Sequence, residues 1–262
     1  MTIVVLILIG MISAIIGSLI GVGGGIIIVP TLVYLGSKTD LLTGITTQTA
    51  VGISSLTLVF TGLFSIIAYR KKGKNTIDLK NGFLFSIGII PGSLVGAYLS
   101  RFLNDVYFNI IFGIFLFIIS IVLIVKDYLA AKKSSDAEKK VNTPVAIIFS
   151  FFVGISAGLF GIGGGVLMTP LMIIAFNFSP HVAVATSMII IFTSSLASTL
   201  GHVVQGHVIW HYGLVLIIAS YIGTKIGVTI NRSIDSAKLS NLLKIVLILM
   251  SIYLIYKGFS SL

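Results

Sequence analysis

Gly21-Val22-Gly23-Gly24-Gly25 interrupts an apolar run that closes on Pro30, and the chain repeats the phrase as Gly161-Ile162-Gly163-Gly164-Gly165, closing on Pro170. Each copy sits inside a hydrophobic stretch, 3–35 and 145–178, that is too long for one simple membrane helix. Consecutive glycines lose more entropy on entering a helix than any other residue and leave the backbone uncovered. The expected conformation is two half-helices joined by an unwound turn, placed twice. Unpaired N–H and C=O groups at membrane depth are tolerated only where they are buried in protein or line a polar cavity. The two turns are therefore expected to mark a polar site, which points to a transporter.

Working outward, composition agrees with a membrane setting. Of 262 residues, 56% are hydrophobic and 9% charged, and mean hydropathy is +1.15. A soluble domain carries about a quarter of charged residues. The absence of cysteine removes disulfides, thiolate chemistry and cysteine-based metal or iron–sulfur sites. The net charge of +10 sits in short connections between apolar segments, where the bias of basic residues toward the cytoplasmic side accounts for it. No nucleic-acid partner is expected. The first apolar run has no basic residue before it and its glycine phrase recurs internally, so it reads as mature structure rather than a cleaved signal.

After the first broken segment come apolar stretches at 46–69, 83–99 and 106–125; after the second, at 182–203, 212–230 and 239–256. Each is near the roughly 20 residues that cross a bilayer as a helix. The fold class is thus an all-α polytopic membrane protein of two homologous four-segment repeats, 1–125 and 145–262. A charged linker, 126–144, joins them. It carries Lys132, Lys133, Asp136, Glu138, Lys139 and Lys140 and has too little apolar content to bury. Matching the halves pairs Gly21 with Gly161, Gly23 to Gly25 with Gly163 to Gly165, Pro30 with Pro170, Thr49 with Thr186, Gly92 with Gly223, Gly96 with Gly227 and Arg101 with Arg232.

Arg70, Lys71, Lys72, Lys74 and Lys80 lie in one connection and Lys126, Lys132, Lys133, Lys139 and Lys140 in another, two crossings apart, so both face the cytoplasm. If each broken segment is a re-entrant hairpin, every half has an odd number of crossings and the halves are inverted; if each crosses once, they are parallel. Charge separates the two weakly. Inverted repeats with broken helices at the midplane are a recurring transporter plan, and that arrangement is the expectation.

The seven acidic residues, Asp40, Asp78, Asp105, Asp127, Asp136, Glu138 and Asp235, all fall in connections or at segment ends. A carrier of cations usually keeps a carboxylate inside the membrane, so an anion is the expected cargo. Half-helix N-termini offer free N–H groups and partial positive charge, about 0.3–2 kcal/mol for each contact. The candidate substrate-binding residues are Gly23, Gly24 and Gly25, Gly163, Gly164 and Gly165, with Thr49, Thr186 and Ser187 just inside the following helices as hydroxyl donors. Gly92/Gly96 and Gly223/Gly227 have the small-xxx-small spacing of close helix packing. Gly21–Gly25 lacks the Gly-Lys-Ser/Thr ending of a phosphate loop, so nucleotide binding is not expected. Most other hydroxyls in these segments read as partners of the backbone one turn earlier.

The four histidines, His181, His202, His207 and His211, belong to the second half, which argues against a symmetric site, and their spacing supports a solvated loop better than a metal centre. Neither metal nor cofactor is expected. Lys225 and Lys244 lie within apolar stretches and read as lipid-headgroup contacts. A membrane enzyme would have neither cysteine nor buried carboxylate to work with, and a scaffold has no use for two unwound turns. A channel, or a carrier of another anion, a neutral solute or a cation, remains the alternative.

The doubled Gly-x-Gly-Gly-Gly…Pro phrase, the threonines after it and the two four-segment halves around a charged linker resemble the sulfite exporter TauE/SafE family of membrane permeases. The resemblance covers nearly the whole chain and is carried by Gly21, Gly23 to Gly25, Pro30, Gly161, Gly163 to Gly165 and Pro170. It implies secondary transport of small sulfur-containing anions, such as sulfite or sulfoacetate-like sulfonates, across a prokaryotic cytoplasmic membrane. The expected partners are that small anion and the lipid bilayer. Direction, coupling ion and oligomeric state, a homo-oligomer included, are left open.

Overall fold

The structure is a computed structural model and describes residues 2–38, 42–71, 77–102, 105–130 and 142–260. Among these residues the chain forms ten α-helices: α1 (Thr2–Ile20), α2 (Gly25–Lys38), α3 (Thr47–Lys71), α4 (Leu79–Leu99), α5 (Asp105–Ala130), α6 (Thr143–Phe160), α7 (Gly165–Ile174), α8 (Pro180–Val204), α9 (Trp210–Ser233) and α10 (Ser236–Ser260). One 3₁₀ turn, Ser100–Phe102, follows α4. Seven of the helices, α1, α3, α4, α6, α8, α9 and α10, are long and apolar enough to cross a membrane. The protein is a multi-pass membrane protein. Both glycine phrases interrupt helices where expected, splitting 3–35 into α1 and α2 and 145–178 into α6 and α7. Of the linker, residues 131–141 lie outside the described residues, while α5 runs on to Ala130.

Local chemistry sets the helix starts. Asp78 caps α4, its Oδ1 accepting from the Asn81 amide at 3.0 Å. Pro144 and Pro180 stand in the first turns of α6 and α8, where a missing N–H costs nothing. Ahead of α3, Thr46 and Thr49 bond reciprocally: the Thr46 amide donates to Thr49 Oγ1 at 2.8 Å and the Thr49 amide to Thr46 Oγ1 at 3.2 Å.

Helices α3 and α8 are the most buried of the spanning set. They are apolar all round, with serines and threonines interspersed, as a central membrane helix must be. They run antiparallel: Ser55 meets Ser198 and Gly62 meets Phe192. Around them the most extensive packing pairs have images in the other half. Helix α1 lies along α9 and α6 along α4; α3 also touches α9 as α8 touches α4; α5 pairs with α10. The first two contacts are glycine-lined and parallel. Gly92 and Gly96 of α4 sit on the carbonyls of Phe151 and Ile155 of α6, while Gly223 and Gly227 of α9 sit on those of Met11 and Ile15 of α1. This is the close approach that their spacing predicts. Large apolar side chains such as Phe83, Ile87, Phe152, Ile218 and Leu249 point outward, as a lipid-facing surface requires.

A methyl group at Gly158 of α6 would collide with the Ser93 carbonyl oxygen of α4, and one at Gly96 with that of Ile155. Gly158→Ala and Gly96→Ala are each expected to cost about 1–3 kcal/mol through overpacking, read as a lower thermal midpoint of the purified protein.

Candidate functional site

The first break begins where α1 ends. Gly21 adopts φ +77° and Gly23 φ +69°, a region that L side chains rarely enter, and the chain doubles back so that Gly24 lies against Ser13 and Gly17. In the second break, Gly161, Gly163 and Gly164 have φ +65°, +72° and +67°. Gly161 closes α6 through its amide bond to Ala157 O, 2.9 Å, in a left-handed cap.

The two breaks lie against each other. Gly25, the first residue of α2, faces the Gly161 carbonyl so closely that a methyl there would collide with it. In the mirrored contact, a methyl at Gly165, the first residue of α7, would stand 2.6 Å from the Gly21 carbonyl oxygen. Leu58 of α3 covers Gly25, and Ile191 of α8 covers Gly165. Residues 21–30 and 161–170 are buried, with Ile27 alone among them partly exposed.

Hydroxyls from α7 and from the central helices occupy the Gly21 and Gly161 carbonyls of this crossing. Thr169 Oγ1 donates to Gly21 O at 2.6 Å, and Ser187 Oγ shares its proton between Gly21 O, 3.0 Å, and Val184 O, 2.7 Å. Ser54 Oγ donates to Gly161 O at 2.7 Å. The amide side is different. Gly25 and Ile26 open α2, Val166 and Leu167 open α7, and their N–H groups have no backbone acceptor among the described residues, since a helix leaves its first amides unpaired. Gly164, which precedes α7, offers no side-chain cap. Ser195 Oγ is buried beside Gly163 with no partner, and Thr199 Oγ1, one turn further along α8, is likewise unpaired. The Gly21 and Gly161 carbonyls are occupied while the first amides of α2 and the Val166 and Leu167 amides of α7 have no backbone acceptor, so the two helix starts turn positive dipole toward the crossing.

Of the residues named from sequence, the structure brings together Gly23, Gly24, Gly25, Gly163, Gly164, Gly165 and Ser187. Thr49 and Thr186 lie elsewhere. Thr49 Oγ1 serves the start of α3, and Thr186 Oγ1 accepts from the Asp78 amide ahead of α4 at 3.0 Å. The residues sharing a role across the halves are Ser54 and Ser187, each donating to the first carbonyl of the opposite break. Thr169 and Ser54 were not among the sequence candidates.

The symmetry also reaches His202. Tyr69, near the end of α3, donates its hydroxyl to Ser18 O of α1 at 2.8 Å. His202, in the same place on α8, has Nε2 3.2 Å from Gly158 O of α6. The expectation that unpaired histidines stand outside any symmetric arrangement, in a solvated loop, is corrected here: His202 is fully buried and its counterpart is a tyrosine. His181 reaches Asn231 and His211 rests on the Tyr212 ring. Lys225 Nζ stands 4.1 Å over the Tyr221 ring. Among the described residues no group of three or more His, Cys, Asp or Glu side chains is placed to hold a metal ion.

Comparison with known proteins matches the family model described as "Sulfite exporter TauE/SafE" over residues 6–254. The chain is 43% identical to the probable membrane transporter protein YunE of Bacillus subtilis, with both chains covered completely. It is 31% identical to a probable membrane transporter protein of Methanocaldococcus jannaschii over 95% of this chain and 94% of the other. Similarity to the probable membrane transporter protein YfcA of Escherichia coli is 25% over 96% and 89%. No solved structure matches.

Proposed function

Because the chain belongs to the sulfite exporter TauE/SafE family, we propose that it is a secondary transporter, not an enzyme, for small anions of the sulfur oxyanion and organosulfonate class. The observation that carries this reading is the mutual packing of the two breaks, with the Gly21 and Gly161 carbonyls occupied by hydroxyls and the Gly25, Ile26, Val166 and Leu167 amides without a backbone acceptor among the described residues. An oxyanion held there would accept from the amides of α2 and α7 and from Ser195, with no carboxylate to repel it. Thr49 and Thr186 are not part of this proposal.

The proposed arrangement is two inverted repeats, 1–125 and 145–262, joined by a cytoplasmic linker. The antiparallel run of α3 against α8, its counterpart, supports it, as does the doubling back of Gly24 onto Ser13. The end bearing Lys71, Lys80 and Arg232 is then cytoplasmic. As packed here the crossing has little room, so transport requires the halves to part at the breaks and rejoin, opening to one side at a time.

The test is stabilisation of the purified protein by candidate cargo. An anion at 100 times its Kd raises stability by about 2.7 kcal/mol. Sulfite, sulfoacetate and sulfate are expected to raise the thermal midpoint, with taurine and sodium ions without effect. Stabilisation by sodium or by a neutral solute alone, and by none of the anions, would replace the anion reading with one of its alternatives.

A further inference from the structure

We propose that His202 and His207 form a proton-binding site that couples anion movement to a proton gradient, an inference that rests on the carrier reading above. The geometry is specific. A carbonyl only accepts, so His202 Nε2, 3.2 Å from Gly158 O, carries a hydrogen. Neutral His202 therefore presents a bare Nδ1, which lies 3.4 Å from Nδ1 of His207. His207 fills that gap by donating from Nδ1, which leaves its own Nε2 as the free basic nitrogen.

A proton arriving from water bonds to His207 Nε2 and leaves both existing hydrogen bonds in place. The Nδ1 proton of His207 can then cross to Nδ1 of His202. His202 becomes the cation, donating to Gly158 O from Nε2, and His207 returns to neutral with its hydrogen on Nε2. One proton is taken up and none is lost on the way. Beyond His202 the buried, unpaired hydroxyls of Thr199 and Ser195 follow one face of α8 to Gly163. Thus a positive charge on His202 and a bound anion at the breaks are joined by buried polar groups along α8. Proton and anion moving together carry no net charge for a monovalent anion.

The surroundings favour this use. On α3, Gly52 lies under the His207 carbonyl; on α4, Gln205 bonds to Ala97 O; beyond α4, Arg101 stacks on Tyr98 and Phe102 at the surface; on α9, His211 rests on Tyr212. The acidic side chains described, Asp78 and Asp235, belong to the opposite end. Burial lowers the His207 imidazole from its ordinary value, which favours the neutral ring in the absence of cargo. An anion at the crossing favours the charged form. Anion binding therefore draws a proton from solution above the free-state pKa, and that uptake vanishes as pH falls through it, where the site is already filled.

The experiment is calorimetric binding of sulfoacetate and of sulfate to the full chain in two buffers of different ionisation enthalpy. Wild type is expected to take up about one proton for each anion bound near neutral pH. His202→Tyr installs the hydroxyl that Tyr69 uses, and His207→Gln keeps a donor beside His202. Both are expected to bind the anion with proton uptake lost. Unchanged uptake in His207→Gln, or binding by wild type without uptake, overturns the proposal. If neither anion binds, the carrier reading fails by itself, and the pair is read from ¹⁵N spectra of its imidazoles. A single proton titrating both rings together supports the site, and two independent titrations sink it.

Discussion

Alanine at Gly25 or at Gly165 abolishes anion flux while the chain still inserts and accumulates: this is the largest functional loss expected of any single methyl group. Neither position has a left-handed backbone, so the penalty is not conformational. It comes from the contact across the halves, where the new methyl meets the Gly161 carbonyl oxygen in one case and that of Gly21 in the other. Overpacking of this kind costs about 1–3 kcal/mol, too little to unfold a protein held by the glycine-lined contacts of α1 with α9 and α4 with α6. It holds the two breaks apart at the place where they must meet. Flux of sulfoacetate into proteoliposomes, beside the quantity of folded protein recovered, measures both parts. Gly206→Ala is the control, since Gly206 has φ +72° with nothing within 4 Å of an added methyl. Strain without collision there should leave flux intact. Flux at wild-type level in both Gly25→Ala and Gly165→Ala would remove the crossing from the mechanism.

The second large effect is on stability. Tyr69 heads the largest fully buried side chains, and around it α1, α3 and α9 are tied together. Its hydroxyl bonds to Ser18 O, its own carbonyl accepts from Arg232 at 2.7 Å, and Asn231 donates to Leu19 O at 2.6 Å. Tyr69→Ala is expected to cost about 3–5 kcal/mol from the cavity, with more from the stranded Ser18 carbonyl. Tyr69→Phe keeps the volume and removes only the hydrogen bond, a loss of about 1–3 kcal/mol. Thermal midpoints and proteolysis near α1 distinguish them. Equal effects from the two substitutions would show that the hydroxyl, and not packing, secures that end of α1.

Those breaks were legible because glycine runs inside apolar sequence admit few conformations, and Gly92, Gly96, Gly223 and Gly227 were legible because their spacing states a packing mode. The pairing of Thr49 with Thr186 was not correct for a physical reason. The glycine phrases fix the register of α1 with α6, but the chain between α2 and α3 is longer than that between α7 and α8, so the register shifts on entering α3. In a helix with hydroxyls on many turns, such a shift substitutes one plausible serine or threonine for another. Structure places Ser54 opposite Ser187 instead. The likeness of Tyr69 to His202 lay beyond sequence comparison, since one bond to a carbonyl can be made by a phenol or an imidazole.

The exchange of partners between halves also governs assembly during synthesis. Helix α1 leaves the ribosome before α9, whose groove receives it, and α4 waits in the same way for α6. Until those later helices arrive, the early ones must remain in the bilayer with their glycine faces open to lipid, so neither half is a finished folding unit and the native core closes only when the end of the chain has been made.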